Sequence, residues 1–274
     1  ISRWLEKINR TGVEECLPLI MVSLQKNKKH ELTVRFLKSL EKLLFSLFLV
    51  SRSYNIEFNA SRFIEWASDL SNDDISIEKV ISEIDFARAA LVDDTQFLSQ
   101  ISAAFKSYGF YHWRGMRYFM YEYEQSLKEK SKTYTNKLDW KQFLDDARDH
   151  KTIEHIYPQN PRKPCWKEKY EAYSSKERSI LRHTIGNLVP LSQPKNSSFQ
   201  NKPFLEKVGN TKNTVGFKYG SFSEIELTNY KEWTAVQILQ RSIKLLKFME
   251  KRWGIDFGGT DKMVNFAGLG FVLK

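Results

Sequence analysis

Apolar side chains in residues 1–150 recur at spacings of three and four, which places them on single faces of α-helices, and glycine is confined there to Gly12, Gly109 and Gly115. Leu37, Leu40, Leu44 and Leu47 form one such stripe; Phe63, Trp66 and Leu70 form another. A helix is expected over 97–108 with Asp93 or Asp94 as its N-cap, and a further one over 112–130 with Trp113, Met116, Met120, Tyr123 and Leu127 on its apolar side. Arg114, Arg117, Tyr118 and Tyr121 share the opposite side of that helix, where they would either line a groove or pack on the rest of the molecule. No unit of roughly 20–50 residues repeats, so the helices read as a bundle and not a solenoid.

The texture changes after the polar stretch 128–137. Six of the seven prolines fall between 152 and 220, among short apolar runs at 153–156 and 188–191 and clusters of Asn, Ser and Lys. That is the pattern of short strands and structured loops in a compact mixed module. Helix returns over 231–253, with Val236, Leu239, Ile243 and Leu246 on one face and Arg241, Lys244, Lys247 and Lys251 offset from it. The segment 255–274 is rich in glycine and apolar residues and shows no usable period. The reading is mainly α, divided into a helical scaffold (1–107), a second domain (108–254, its compact core about 150–208) and a C-terminal tail of unassigned structure (255–274).

Composition then narrows the class. With 41% hydrophobic and 14% aromatic residues the chain has ample material for a buried core. The longest apolar run, 43–50 with Ser46 inside it, is far shorter than the roughly 18 residues of a membrane span, and no secretory signal pattern precedes it. A cytoplasmic protein is expected. Cys16 and Cys165 stand apart with no CxxC, which argues against a disulfide framework or a zinc knuckle. Because it begins at Ile1, the chain reads as a fragment of a longer protein or one with its N-terminus removed.

Charge changes the picture more. The formal +10 is unevenly spread: residues 1–150 hold 22 basic and 22 acidic side chains, residues 151–274 hold 21 and 11. A neutral block joined to a basic block points to a polyanionic partner for the second, nucleic acid first among them.

Candidate chemistry lies in that basic block. Glu154-His155-Ile156-Tyr157-Pro158 is followed by Gly186-Asn187-Leu188, then Lys195-Asn196, then the run Asn201 to Lys207. Phosphodiester hydrolysis needs a water deprotonated near neutral pH and a cation beside the oxygens on which negative charge accumulates. A histidine of ordinary pKa, near 6.5, suits the first task, and His155 is the candidate. Carboxylate and amide oxygens suit Mg²⁺ or Mn²⁺, and Glu154 and Asn196 are the candidate ligands. Neighbours on a strand point to opposite sides, so the strand must end or bend between Glu154 and His155 if the two are to serve one centre.

The order and spacing of these segments resemble an HNH nuclease, in which an acidic residue and a histidine end one strand, an Asn opens the next, and a metal-binding Asn or His follows nine residues later, here Asn196. More narrowly, about Tyr108 to Trp253 is similar to the C-terminal nuclease domain of GmrSD- and SspE-type modification-dependent restriction proteins. The likeness includes the run Arg117 to Glu124 and the Arg241, Leu245 and Trp253 positions. It implies a His-Me finger (ββα-metal) module embedded in helices: an endonuclease or nickase acting on double-stranded phage or foreign DNA. His155 would be the base, Asn187 the brace of its loop, and Glu154 and Asn196 the ligands of Mg²⁺ or Mn²⁺. It also implies an N-terminal nucleotide-hydrolysing sensor domain; with no GxxxxGK[ST], and with Gly268 and Gly270 lacking the setting of a dinucleotide loop, that domain is expected to lie outside this chain.

Blander readings stand beside these. His155 would be satisfied by a backbone carbonyl, Glu154 solvated, Asn196 a helix N-cap, and His183 a solvent-facing helix residue; His30, His112 and His150 have no assigned partner. Lys195, Lys202, Lys207, Arg162 and Lys163 are the expected DNA contacts, with Lys167 and Lys169 nearby, against the alternative of solvated faces. A DNA-binding or sensing module with an inactive site, or an RNA-directed nuclease, are the alternatives for the whole.

Overall fold

A computed structural model describes residues 1–51, 59–92, 96–144, 151–210, 212 and 215–274. The proposed caps Asp93 and Asp94, and His150, lie outside the described residues. The chain divides into two compact units, Ile1–Ile101 and Ser102–Lys274, a boundary a few residues before the one expected and inside a helix.

The first unit is helical: α1 (Ser2–Arg10), α2 (Leu17–Lys26), α3 (His30–Leu44) with a π-helical continuation, α4 (Ser61–Ser71), α5 (Ile77–Val92) and the start of α6 (Phe97–Tyr108). α3 packs on α1 and α5, and α2 on α4. Leu37, Leu40, Leu44 and Leu47 are buried, as are Phe63, Trp66 and Leu70.

The second unit runs α7 (Met116–Ser131), α8 (Lys141–Leu144), β1 (Lys151–His155), α9 (Pro164–Tyr170), α10 (Ser175–His183), β2 (Leu188–Ser192), α11 (Gln193–Phe199), α12 (Phe204–Val208), α13 (Phe222–Leu227), α14 (Ala235–Trp253) and α15 (Thr260–Phe266). Among the described residues the only sheet is the antiparallel pair β1–β2, with His155 opposite Leu188, Glu154 opposite Val189 and Ile153 opposite Pro190. Proline is tolerated in β2 because a two-stranded sheet has a free edge on each strand. The fold is therefore mainly α, and the segment 152–220 holds four short helices besides its strands.

α14 is the spine of this unit. The 3-10 turn Ile185–Asn187 lies against it so closely that a Cβ on Gly186 would sit 2.2 Å from the Ile238 carbonyl oxygen. Arg241, offset from the expected apolar face, is fully buried, and its guanidinium donates to the carbonyls of Gly186 (2.8 Å) and Leu188 (2.7 Å). Of the expected apolar face Leu239 and Leu246 are buried, joined by Ile238, Leu245, Met249 and Trp253, while Ile243 is half-buried and Val236 exposed. α7 begins at Met116, after a 3-10 turn Phe110–His112, and not at 112. Tyr118 and Tyr121 pack on Trp140, and Arg117 donates to the Phe143 carbonyl, so three of the four residues considered for a groove are engaged within the protein. The tail is ordered. Gly254 in the left-handed region ends α14, and α15 returns to pack on it.

Candidate active site

β1 presents two chemistries on its two sides. Thr152 and Glu154 share a side, and α11, which follows β2 directly, lies against it. Asn196 donates from Nδ2 to Glu154 Oε1 in a close contact, and lies 3.4 Å from Thr152 Oγ1. Since α11 starts at Gln193 with Ser192 at the cap position, Asn196 lies inside the helix and is not its N-cap. The Glu154 carboxylate also accepts from the His155 backbone N–H at 3.2 Å. Burial raises its pKa above the usual carboxylate range, partly offset by those two hydrogen bonds and by the charge of Lys207.

His155 points the other way, at the strand end. It is 5% exposed, with its ring 4.5 Å from that of Tyr111 and its Nε2 3.2 Å from His183 Nδ1. Its Nδ1 makes no hydrogen bond among the described residues. Burial, then the like charge of His183, Arg182, His112 and Lys207, pushes its pKa down to about 3, so the ring is neutral at pH 7 instead of titrating near it. His183 is correspondingly half-buried and engaged, not solvent-facing, and burial lowers its pKa as well. Gly109 makes this arrangement possible: its φ is +73°, and a Cβ there would meet His183 Cβ at 2.4 Å. Tyr111 and the pairing of His155 with His183 had no signature in the sequence beyond the isolated Gly109.

Asn187 is wholly buried and its amide is fully used. Oδ1 accepts from Tyr157 N (2.8 Å) and Trp233 Nε1 (3.0 Å), while Nδ2 donates to the carbonyls of Tyr157 (3.0 Å) and Arg182 (2.9 Å). It ties the chain just after His155 to the end of α10, which carries His183.

The basic residues separate into two groups. Lys207 is 3% exposed and donates to the Ile156 carbonyl at 3.0 Å, with its ammonium over the Trp166 ring. Burial pushes its pKa down to about 8. Lys195, with a side chain 15% exposed, pairs with Glu224 at 2.6 Å. Lys207 is thus buried against backbone and Lys195 mostly buried in an ion pair, where solvent-facing phosphate contacts were the expectation. Lys202 is half-buried and donates to Ser198 Oγ. Arg162 and Lys163 are exposed on the loop that Asn201 anchors through Arg162 N and Trp166 Nε1. Lys167 and Lys169 are exposed, and Lys169 pairs with Glu232 at 3.2 Å. His30 and His112 are both exposed.

The donor set at Glu154 and Asn196 fits a hard divalent cation: a half-buried carboxylate with its pKa raised, beside an amide whose oxygen and nitrogen exchange places on rotation. Among the described residues no group of three or more His, Cys, Asp or Glu could hold a metal, so these two oxygens would be the protein's share of the ligands there. None of the described helices is long and apolar enough to cross a membrane. Neither a curated protein nor a solved structure matches the chain. The family model for the C-terminal domain of GmrSD restriction endonucleases matches residues 95–248, a span that contains β1, β2, α11 and every residue of the site just described. With more than half of its length so matched, the chain belongs to the GmrSD restriction endonuclease C-terminal domain family.

Proposed function

We propose that this chain is a divalent-metal-dependent DNA endonuclease of the HNH (His-Me finger) type, the effector part of a modification-dependent restriction protein. The observation that carries the reading is the succession β1, β2, α11, which brings Glu154 and Asn196 together at one side of a strand whose next residue, His155, is a buried neutral imidazole. β1, β2 and α11 then form the ββα module.

In this reading His155 is the general base. Its Nε2–H donates to His183 Nδ1, the tautomer that leaves the Nδ1 lone pair to take a proton from water. Low basicity is the cost of burial, and the negative charge of a phosphodiester bound beside the ring raises it again. Tyr111 and His183 fix the ring plane, and Asn187 and Lys207 fix the backbone at Tyr157 and Ile156 that follows it. Glu154 and Asn196 would hold Mg²⁺ or Mn²⁺, which supplies charge stabilisation at the phosphate and leaving oxygens. Arg162, Lys163 and Lys202 would meet the DNA backbone.

Supercoiled plasmid incubated with Mg²⁺ or Mn²⁺ tests this. The native chain is expected to give nicked or linear product, and His155→Ala to lose at least a hundredfold in rate, the usual scale for a general base. Equal cleavage by both would remove His155 from the chemistry, and no cleavage by the native chain would favour a DNA-sensing module. Asn196→Ala should raise the Mn²⁺ concentration needed for half-maximal cleavage; an unchanged metal dependence would assign Asn196 a structural role only.

A further inference from the structure

A cavity of about 720 Å³ opens beside the His155–His183 pair, and nothing in the proposed chemistry uses it. His183 is among its lining residues, so the residue whose ring meets His155 also borders this space. The end of α6 supplies Lys106 and Tyr108, α10 supplies Lys176 and Ser179, and the C-terminal segment supplies Asn265. Two glycines shape it. Gly109 lets the backbone meet His183, and Gly268, at φ +71°, leaves room for the stem of Lys106, whose Cγ would lie 3.0 Å from an added Cβ.

The lining has a consistent chemical sense. It contains two ammonium groups and no carboxylate, and neither Lys106 nor Lys176 has an ion pair or hydrogen bond among the described residues. Tyr108, also in the lining, is 73% exposed, a large aromatic face open to solvent. Ser179 and Asn265 add neutral hydrogen-bonding groups. Cations for phosphate, an open ring for a base and small polar groups for sugar or base edges are the elements of a nucleotide site, and the volume lies within the range of small-ligand pockets.

Resting on the nuclease reading, we propose that this cavity is a substrate subsite: it takes a nucleotide of the DNA strand next to the one being cut, its phosphate on Lys106 and Lys176 and its base against Tyr108. The subsite would hold the strand on the His183 side of the base.

Two measurements on the full chain separate this proposal from the reading it rests on. In EDTA, where no cutting occurs, lysine acetylation is followed residue by residue with and without a short DNA duplex. Lys106 and Lys176 are expected to be protected severalfold, and Lys28 in the first unit not at all. Equal reactivity with and without DNA would overturn the subsite, whether or not the chain cleaves. Protection by a millimolar deoxynucleoside monophosphate as complete as that by the duplex would overturn the strand assignment in favour of a small-molecule pocket. In the cleavage assay, Lys106→Glu with Lys176→Glu, and separately Tyr108→Ala, should each raise KM about tenfold with kcat within twofold, the signature of lost uniform binding, and Tyr108→Trp should restore it. Unchanged KM in a chain that cleaves would overturn the subsite alone. Protection in a chain that never cleaves would end the nuclease reading and leave the DNA contact standing.

Discussion

The position with the least freedom in the site is Asn187. Its amide satisfies two donors and two acceptors from three separate segments, and only a glutamine, one methylene longer, carries the same set. Asn187→Ala should cost on the order of 3 kcal/mol or more, because buried groups at Tyr157, Arg182 and Trp233 lose their partners together, a loss that urea unfolding would measure. Asn187→Asp should do no better, since it keeps the acceptors but loses both donors and buries a charge. The histidine pair makes a second prediction at this scale. Both rings have pKa values below the ordinary 6.5, His155 at about 3, so the unfolded chain binds protons that the folded chain refuses. Stability is then complete above about pH 6.5 and falls as the pH drops toward 3, with a slope approaching ~1.4 kcal/mol per pH unit for His155. Measured in EDTA, His155→Gln should flatten that slope; an unaltered slope would mean that carboxylates elsewhere carry the acid sensitivity.

Among the elements, α7 organises the second unit through its acidic residues. Glu124 accepts from the backbone N–H groups of Phe222 and Ser223, both at 2.7 Å, and so closes the N-terminus of α13 from a different helix. Tyr123 donates to Glu226 of α13 at 2.8 Å, and Glu122 pairs with Arg252 of α14 at 3.0 Å. Glu124→Ala strands two amides at a helix end and should destabilise by about 2–4 kcal/mol, read as a drop in the thermal midpoint. Glu124→Gln should recover part of it. The long apolar stripes and the two strands were legible because burial writes its period into the sequence; the Leu37 to Leu47 stripe and the apolar runs behind β1 and β2 are cases. α14 shows the limit. Arg241 lies off the apolar stripe, where hydrophobic periodicity carries no sign of burial, and nothing local marks the two carbonyls that hold it. The motif positions were visible from spacing, whereas Tyr111 and His183 reach the site from other segments by tertiary packing alone.

For the whole molecule, the boundary at 101/102 redistributes the charge. The first unit carries 13 basic and 15 acidic residues, the second 30 and 18, so the unit with the site stands at +12 and its companion at −2. All residues assigned to the chemistry and to the cavity lie in the second unit. A fragment spanning 96–274, which keeps α6 whole, should therefore fold and cleave plasmid at a rate within a fewfold of the full chain. Its DNA affinity should fall steeply with salt in both contexts. An inert but folded fragment would give the first unit a part in the chemistry.

β1 and β2 are neighbours in space but are joined by the 32 residues 156–187, and the turn into β2 is locked by Arg241, far downstream on α14. Pairing of this kind forms only after its distant partners are present. During translation the strand bearing Glu154 and His155 emerges from the ribosome well before the helix that fixes its companion. A nascent chain ending before α14 would carry Glu154, His155, Asn187 and Asn196 but not the guanidinium that locks the turn into β2, so the proposed site assembles only once α14 has been made.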